Sequence, residues 1–596
     1  MSEKSDGNGK GSASRSRRRQ PASAPPSQYM IAPAGPGVTT QTLIERLEQI
    51  GNIEILRTYD ERENLCPPIA VVRASDETAA AVRRSGAGGF VIEPDRPLRA
   101  ASFPGALPQP PVIAATTAFG GTFKVTAQTL GEGGEPVEFA VVQLVGERGT
   151  VQGRTEGDGK VDLVLDGEPA ETVTDLFIKP RSGYWGFWRH RPKLRADSVN
   201  AFTLQSLSLP ETLDWGGQAI GFHQLPAQCR GAGIKIALID SGVATGHKQL
   251  AGIEHGIDLR GGEQRTWLQD EVGHGTPCAG IISAVVANTH GIRGYAPDAE
   301  LHVCRLPLDA RCSDLVAALD YCMQRGIDVA CLGFGCDRGS AIVEQRIVAA
   351  KQQGVAIIAA AGNSAGAVLF PASSQHVVAV GAIGQLGSYP DDSPQAAQAA
   401  AAGPIARGLF VPPFTCRGPE LDLCAPGVAV IACQSPDGYA VYDGTSLAAA
   451  HVTALAALVL AHHSDFKGGF TRRDFHRVER LFQILKGTAR SIGHPWLTGA
   501  GLPDAARALG VWSAPRPFGA TLNAELAKMH SAMRQLKQPH LGATATNSFE
   551  PPRGPANVTQ LPLNPAPWPF VAETGAEASV RDLRAAMMLA GLSDRR

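Results

Sequence analysis

Three short glycine-flanked segments carry side chains able to do nucleophilic chemistry. Ile239-Asp240-Ser241-Gly242-Val243 ends an apolar run with a carboxylate. Gly273-His274-Gly275-Thr276 leads a histidine into small residues. Gly444-Thr445-Ser446-Leu447-Ala448 opens a long apolar segment with a serine. Singly, such an aspartate is a cap and such a histidine is structural. Together, Asp, His and Ser are the set an activated nucleophile needs. A serine hydroxyl attacks poorly until a base takes its proton. An imidazole, with an ordinary pKa of about 6.5, takes it near neutral pH. A carboxylate on the other ring N–H fixes the tautomer and stabilises the imidazolium. A serine at a helix start also places backbone N–H groups near developing negative charge.

Four segments, in order, resemble the subtilisin-like serine peptidases. They are Ala237-Leu238-Ile239-Asp240-Ser241-Gly242, His274-Gly275-Thr276-Pro277-Cys278-Ala279-Gly280, Ala359-Ala360-Ala361-Gly362-Asn363 with Phe370-Pro371-Ala372, and Gly444-Thr445-Ser446-Leu447-Ala448-Ala449-Ala450-His451-Val452. The resemblance covers most of residues 206–510. It implies a serine endopeptidase acting on polypeptide, with Asp240, His274 and Ser446 as the triad. It further implies that the Asn363 amide is the second oxyanion donor. Leu332, Gly333 and Phe334, with Ala360, Ala361 and Gly362, would flank the pocket for the residue before the scissile bond.

The chain departs from the family at several positions. Ala450 stands where a proline is usual, which should straighten that helix. Ala454 replaces a glycine. Phe334 replaces a common glycine and narrows the cleft. His247-Lys248-Gln249-Leu250 replaces His-Pro-Asp-Leu. That family aspartate ligates calcium. Gln249 keeps an oxygen and loses the charge, which weakens a hard-cation site, although Asn288-Thr289-His290-Gly291-Ile292 still resembles the calcium loop. The expectation is no cofactor and no metal, with calcium only as the weakened option. Cys278, close behind His274, is expected to be a buried small hydrophobe.

The elements that must position these residues form an α/β domain. Ile234–Ile239, Leu301–Leu306, Ile327–Leu332, Val355–Ala361 and Val377–Ala382 are short, nearly all-apolar runs, as buried parallel strands are. They define a subtilisin-like parallel-sheet catalytic domain over 206–512. Residues 29–100 read β-α-β-β-α-β, a ferredoxin-like α+β pattern: strands at Tyr29–Ala32, Ile53 and Ile55, Ile69 and Val71, and Phe90–Glu93, with helices over Leu43–Ile50 and Asp76–Arg84. This unit resembles the family's inhibitory propeptide, with Val91-Ile92-Glu93-Pro94-Asp95 as its last strand and exit. The zymogen's partner is then its own propeptide. Residues 108–205 read as a small β-sandwich, with strand faces Phe123/Val125/Ala127 and Val161/Leu163/Leu165, a strand at Phe139–Val142, and a Gly157-Asp158-Gly159 turn. It resembles the carboxypeptidase-regulatory-like modules. Trp185, Phe187 and Trp188 form either a binding patch or an edge packed on the next domain. Residues 1–28 read as a disordered basic leader and 513–596 as a tail with two helices, Thr521–Leu536 and Ala576–Leu592, around a disordered linker.

Composition bounds the rest. The chain has 596 residues, 43% of them hydrophobic, enough for several cores. Its 55 Lys+Arg and 56 Asp+Glu give a net charge of −1, which argues against nucleic acid or an anionic membrane as partner. The most apolar stretch, Leu447–Ala461, is broken by His451 and Thr453 and reads as a buried helix. Arg15 and Arg17–Arg19 are followed by a Pro/Ser-rich stretch, not an apolar one, so no secretory signal is read. Ten of eleven cysteines fall between Cys229 and Cys433. With no export signal, a cytoplasmic location with mostly reduced thiols is expected. Two rival readings remain: a processing protease dedicated to one partner inside the cell, and a pseudoprotease that only binds.

Overall fold

The computed structural model describes residues 27–511 except Pro36, 63–64, 85–88, 101–121, 210–213, 260, 262–264 and 287–290. The leader up to residue 26, the Pro104–Pro111 linker, most of the Asn288–Ile292 loop and the tail with its two helix candidates lie outside the described residues.

The first unit runs β1 (Ser27–Pro33), α1 (Thr40–Ile50), β2 (Ile53–Tyr59), β3 (Ile69–Ala74), α2 (Asp76–Arg84) and β4 (Phe90–Pro94). Its antiparallel sheet has the order β2-β3-β1-β4. Strand side chains alternate between faces, and here both faces are covered. Tyr29, Ile31, Ala70 and Val72 pack with Leu43, Leu47, Ala79 and Val82 of the unit's own helices. Met30, Ala32, Ile69 and Val71 pack on the third unit. After β4 the chain forms the two-residue strand β5 (Arg99–Ala100).

The second unit contains β6 (Thr122–Leu130), β7 (Val141–Val145), β8 (Thr150–Arg154), β9 (Lys160–Asp166), β10 (Asp175–Lys179), β11 (Phe187–His190) and β12 (Val199–Thr203). Sheets β11-β10-β7-β8 and β12-β6-β9 share one core, including Phe123, Val125, Leu163, Leu165 and Phe187. The expected strand at Phe139 begins two residues later. Phe139 has φ of 59° and is largely exposed, so it belongs to the turn before β7.

The third unit opens with α3 (Trp215–Ile220), β13 (Lys235–Asp240), β14 (His255–Asp258), α4 (Gly275–Ser283), β15 (Glu300–Arg305), α5 (Cys312–Arg325), β16 (Val329–Leu332) and β17 (Phe334–Gly335). It continues through α6 (Ala341–Gln352), β18 (Ala356–Ala360), β19 (Val378–Gln385), α7 (Pro394–Ala402), β20 (Leu409–Phe410), β21 (Leu423–Pro426), β22 (Val430–Gln434), β23 (Gly438–Tyr442), α8 (Thr445–His462) and α9 (Phe475–Gly487). The five apolar runs are all strands of one sheet, ordered β14-β15-β13-β16-β18-β19, with β21 also parallel to β19 and β20 antiparallel. α8 is apolar enough to span a membrane, yet 89% of its most apolar window is buried in the protein. It is the core helix, and it runs unbroken through Ala450. Strand order departs in both directions from β13, to β15 on one side and β16 on the other. In open α/β sheets such a switch point opens a crevice at the strands' carboxyl ends.

Candidate active site

Asp240 is the last residue of β13, at that switch point, and is fully buried. Its Oδ1 accepts from the Ser241 N–H at 2.7 Å and lies 2.5 Å from His274 Nδ1. His274 sits immediately before α4 and is 2% exposed. Burial favours its neutral form. The Asp240 charge, the hydrogen bond to Asp240 and the charge of Asp270 outweigh burial and raise its pKa above the ordinary value. Nε2, the opposite ring nitrogen, is buried without a hydrogen-bond partner.

Ser446 is the second residue of α8 and has no exposed surface. Its hydroxyl hydrogen-bonds to the thiol of Cys278, one turn into α4 from His274. α4 and α8 therefore bring the serine beside the histidine's own helix. Burial pushes the Cys278 thiol well above its usual range, as expected of a packing residue.

Asn363 follows β18. Its Oδ1 accepts from the Thr445 N–H at 3.0 Å and the Thr445 hydroxyl at 2.9 Å. Thr445 Oγ1 in turn accepts from the Gly362 N–H at 3.1 Å. These bonds lock the amide beside the start of α8 with its carbonyl end committed. The other end of the amide carries N–H donors, the type an oxyanion needs.

The expected pocket residues stand at the ends of two neighbouring strands. Leu332 ends β16 and Phe334 starts β17. A Cβ on Gly333 would overlap Asp240 Oδ2 and stand 2.9 Å from His274 Cε1, so no larger residue fits there. The Phe334 ring packs edge-on against His274 at 5.6 Å between centroids. Ala360, Ala361 and Gly362 lead from β18 into Asn363 and are buried. The two walls are thus the ends of β16 and β18, which are neighbours in the sheet.

Two contributors escaped the sequence reading. Asp270 accepts from the Gly273 N–H, the Thr276 N–H (both 2.8 Å), the Thr276 hydroxyl (2.6 Å) and the Ser241 hydroxyl (2.8 Å). It ties the histidine loop to the end of β13. Its signal was present: an aspartate three residues before a glycine is an Asx-type turn former. Thr445, which joins Asn363 to α8, was quoted only as a neighbour of the serine.

Gln249 tests the calcium expectation. Its Nε2 donates to the carbonyls of Ile292 at 2.7 Å and Val285 at 3.3 Å. Its Oε1 accepts from the Ile292 N–H at 3.2 Å and the Tyr439 hydroxyl at 2.7 Å. A hard cation needs oxygen ligands, and N–H donors already occupy these carbonyls. Among the described residues, this donor set does not fit calcium.

The Trp185 region packs inward. Trp185 joins a cluster with Phe410, Val428 and Val441 of the third unit, and the Trp188 N–H donates to the Asp392 carbonyl at 2.6 Å. Phe187 belongs to the core of its own unit.

Comparison with known proteins places this geometry. Residues 231–504 match the model of the subtilase family. Subtilisin Savinase of Lederbergia lenta is 33% identical over 303 residues, 50% of this chain and 98% of that protein. An alkaline protease of Alkalihalobacillus alcalophilus is 32% identical over 306 residues, 50% of this chain and 70% of that protein. The crystal structure of fervidolysin from Fervidobacterium pennivorans, a keratinolytic enzyme related to subtilisin, shares the fold. Its TM-score is 0.50 at 16% identity, covering 84% of this chain and 63% of that one. These relatives overturn the expectation of a cytoplasmic location, because alkaline proteases, subtilisins and fervidolysin are secreted, extracellular proteases. A third of the residues shared across the full length of a subtilisin decides the assignment: the chain belongs to the subtilase family and is a subtilisin-like serine protease.

Proposed function

We propose that the chain is made as a zymogen and hydrolyses peptide bonds through Asp240, His274 and Ser446. In this reading Ser446 Oγ attacks the scissile carbonyl carbon while its proton passes to His274 Nε2. Asp240 holds the imidazolium through Nδ1. The carbonyl oxygen, now an anion, takes hydrogen bonds from the Ser446 backbone N–H and the Asn363 amide. His274 then gives the proton to the leaving amine, and water repeats the sequence to free the serine.

One observation carries the zymogen reading. The chain leaving the first unit is laid along the crevice: Arg99–Ala100 pair antiparallel with Phe334–Gly335, beside His274, and the Leu98 N–H donates to the Ala310 carbonyl at 2.6 Å. A peptide added to a sheet edge gains affinity from backbone hydrogen bonds, so the segment occupies the place of substrate. Two carboxylates fasten the unit. Glu93 accepts from the Ser340 hydroxyl and from the Ile342 N–H at 3.0 Å, at the start of α6. Asp95 accepts from the Ser313 N–H at 2.9 Å and hydroxyl at 2.6 Å, at the start of α5. Each fits the positive end of a helix.

A fluorophosphonate probe tests the reading. The expected result is stoichiometric labelling of Ser446 once the first unit has been cleaved and removed, and weak labelling before. Mass spectrometry of wild-type and Ser446→Ala protein reports whether cleavage is self-inflicted. Absence of labelling in the processed, folded protein would establish the pseudoprotease instead.

A further inference from the structure

Two thiols face each other under the strand edge that receives the exit segment. Cys312 is the first residue of α5, and Cys336 follows β17. Their sulfurs are 3.9 Å apart and both side chains are buried. A disulfide needs about 2.05 Å, so contact must shorten, but no other side chain intervenes between the sulfurs. Neither thiol has a part in the triad or the oxyanion donors. Their backbones are held independently. The Cys312 N–H donates to the Arg96 carbonyl at 2.9 Å, and Cys336 exchanges backbone hydrogen bonds of 2.7 and 2.9 Å with Phe370. The two thiols are also unequal. Cys336 keeps 3% exposure and Cys312 none, and the Cys336 thiol donates to the Arg338 carbonyl at 3.2 Å. Cys336 is therefore the sulfur that an external disulfide reaches first.

We propose that Cys312 and Cys336 are a redox-active pair that closes to a disulfide at the expense of a small external disulfide, stapling the cleft edge at β17 to the start of α5. The step balances. The Cys336 thiolate attacks one sulfur of the external disulfide and expels one thiolate. Cys312, giving its proton to that thiolate, attacks the mixed disulfide at Cys336 and expels the second. Two protein thiols are oxidised, and one external disulfide is reduced to two thiols. The consequence is local. β17 is the strand on which Arg99–Ala100 lie, so the bond restrains the edge that binds a peptide backbone. It does not depend on the triad, and it can be tested where the triad is disabled.

The test uses full-length Ser446→Ala protein, which cannot process itself, incubated natively with cystamine at mildly alkaline pH. Free thiols are then alkylated and the digest is mapped. Expected are the loss of two thiols, one cross-link joining the peptides of Cys312 and Cys336, and several-fold slower hydrogen exchange over residues 334–337. Cys304→Ser should keep the cross-link and Cys336→Ser should lose it. Cys322 also neighbours Cys304 and helps hold its thiol well above the usual range, so a cross-link there instead would overturn the proposal. So would two thiols that stay free, a product that stops at cysteamine adducts, or a Cys312–Cys336 bond that leaves exchange unchanged. The parent map decides the matter even if a cysteine variant folds poorly.

Discussion

Single atoms decide the chemistry, and two predictions belong at this scale. Asn363 touches the start of α8 through its carbonyl end, while its N–H donors are the part proposed to act on the transition state. Asn363→Ala should therefore lower kcat by about 10²–10³ with little change in KM. Steady-state kinetics on a peptide substrate checks this, and a change confined to KM would remove Asn363 from the oxyanion hole. His274 gives the second prediction. A general base must be neutral, so activity falls as pH drops through the His274 pKa. That pKa lies above the ordinary value because Asp240 outweighs burial. In Asp240→Asn the main opposing charge is gone and burial dominates. The acidic limb of the kcat/KM profile should then move to lower pH, while the rate at its plateau drops by about 10⁴ because the ring loses its fixed tautomer. An acidic limb that stays in place would show that Asp240 does not set the histidine's charge.

Elements act by bringing ends together. β13, β16 and β18 are adjacent parallel strands, and their carboxyl ends supply Asp240, the Gly333 wall and the approach to Asn363. α4 and α8 supply His274 and Ser446 from the other side. The Gln249 loop belongs to this scale as well. Its amide closes hydrogen bonds between the turn after β13 and the backbone of Ile292. Gln249→Asp would turn a carboxylate toward the Ile292 and Val285 carbonyls. We expect a loss of about 1–3 kcal/mol in urea unfolding with chelator present, from repulsion and unmade hydrogen bonds. Unchanged stability would mean that the amide contributes nothing beyond filling space.

At the scale of the molecule, the first and second units both pack on the third. The first unit should act as an inhibitor in trans. Residues 27–100, added as a separate folded polypeptide, should inhibit the processed enzyme, and Glu93→Gln with Asp95→Asn should weaken that inhibition by roughly threefold to thirtyfold, since each helix-end charge contributes about 0.3–1 kcal/mol. No inhibition by folded wild-type fragment at tens of micromolar (roughly −6 kcal/mol of binding) would end the propeptide reading. The second unit docks on the hairpin that leads to the nucleophile: the Gly183 N–H donates to the Tyr439 carbonyl at 2.9 Å. Nearby, burial pushes the Lys179 amine down to about 8, opposed by the Asp443 charge. Asp443, three residues before Ser446, accepts from Gln395 and Gln398 at 2.9 Å and from the Ala429 N–H at 2.8 Å. Burial raises its carboxyl pKa. Lys179→Met removes a buried amine whose charge the fold disfavours, because burial outweighs the Asp443 attraction. Stability, read from the urea midpoint, should hold level or rise by up to about 1 kcal/mol, and the same change in an Asp443→Asn background, where no attraction is lost, should raise it further. Equal effects in both backgrounds would show that the two charges are uncoupled.

The sequence alone determined the family and named the residues proposed to do its chemistry. Asp240, His274, Asn363 and Ser446 stand in local frames that chain spacing records: a strand end, a helix entry, a strand exit, a helix start. Those frames depend on neighbours within a few residues, as do the alternating faces of β1 and β3 and the apolar runs of the parallel sheet. Tertiary structure alone decided the rest, because it depends on residues far apart in the chain. Nothing around Gln249 announces that its amide meets Ile292 and Tyr439. Nothing around Trp185 chooses between a binding patch and a docked edge until Phe410 and Val441 are folded beneath it. Glu93 and Asp95 read as part of the first unit's last strand and exit, yet they sit at the ends of helices more than two hundred residues away. Phe139 shows the converse: its apolar type suggested a strand, and the turn before β7 overrode it with a left-handed backbone. Local physics names the parts, whereas the contacts between distant parts fix what each one touches.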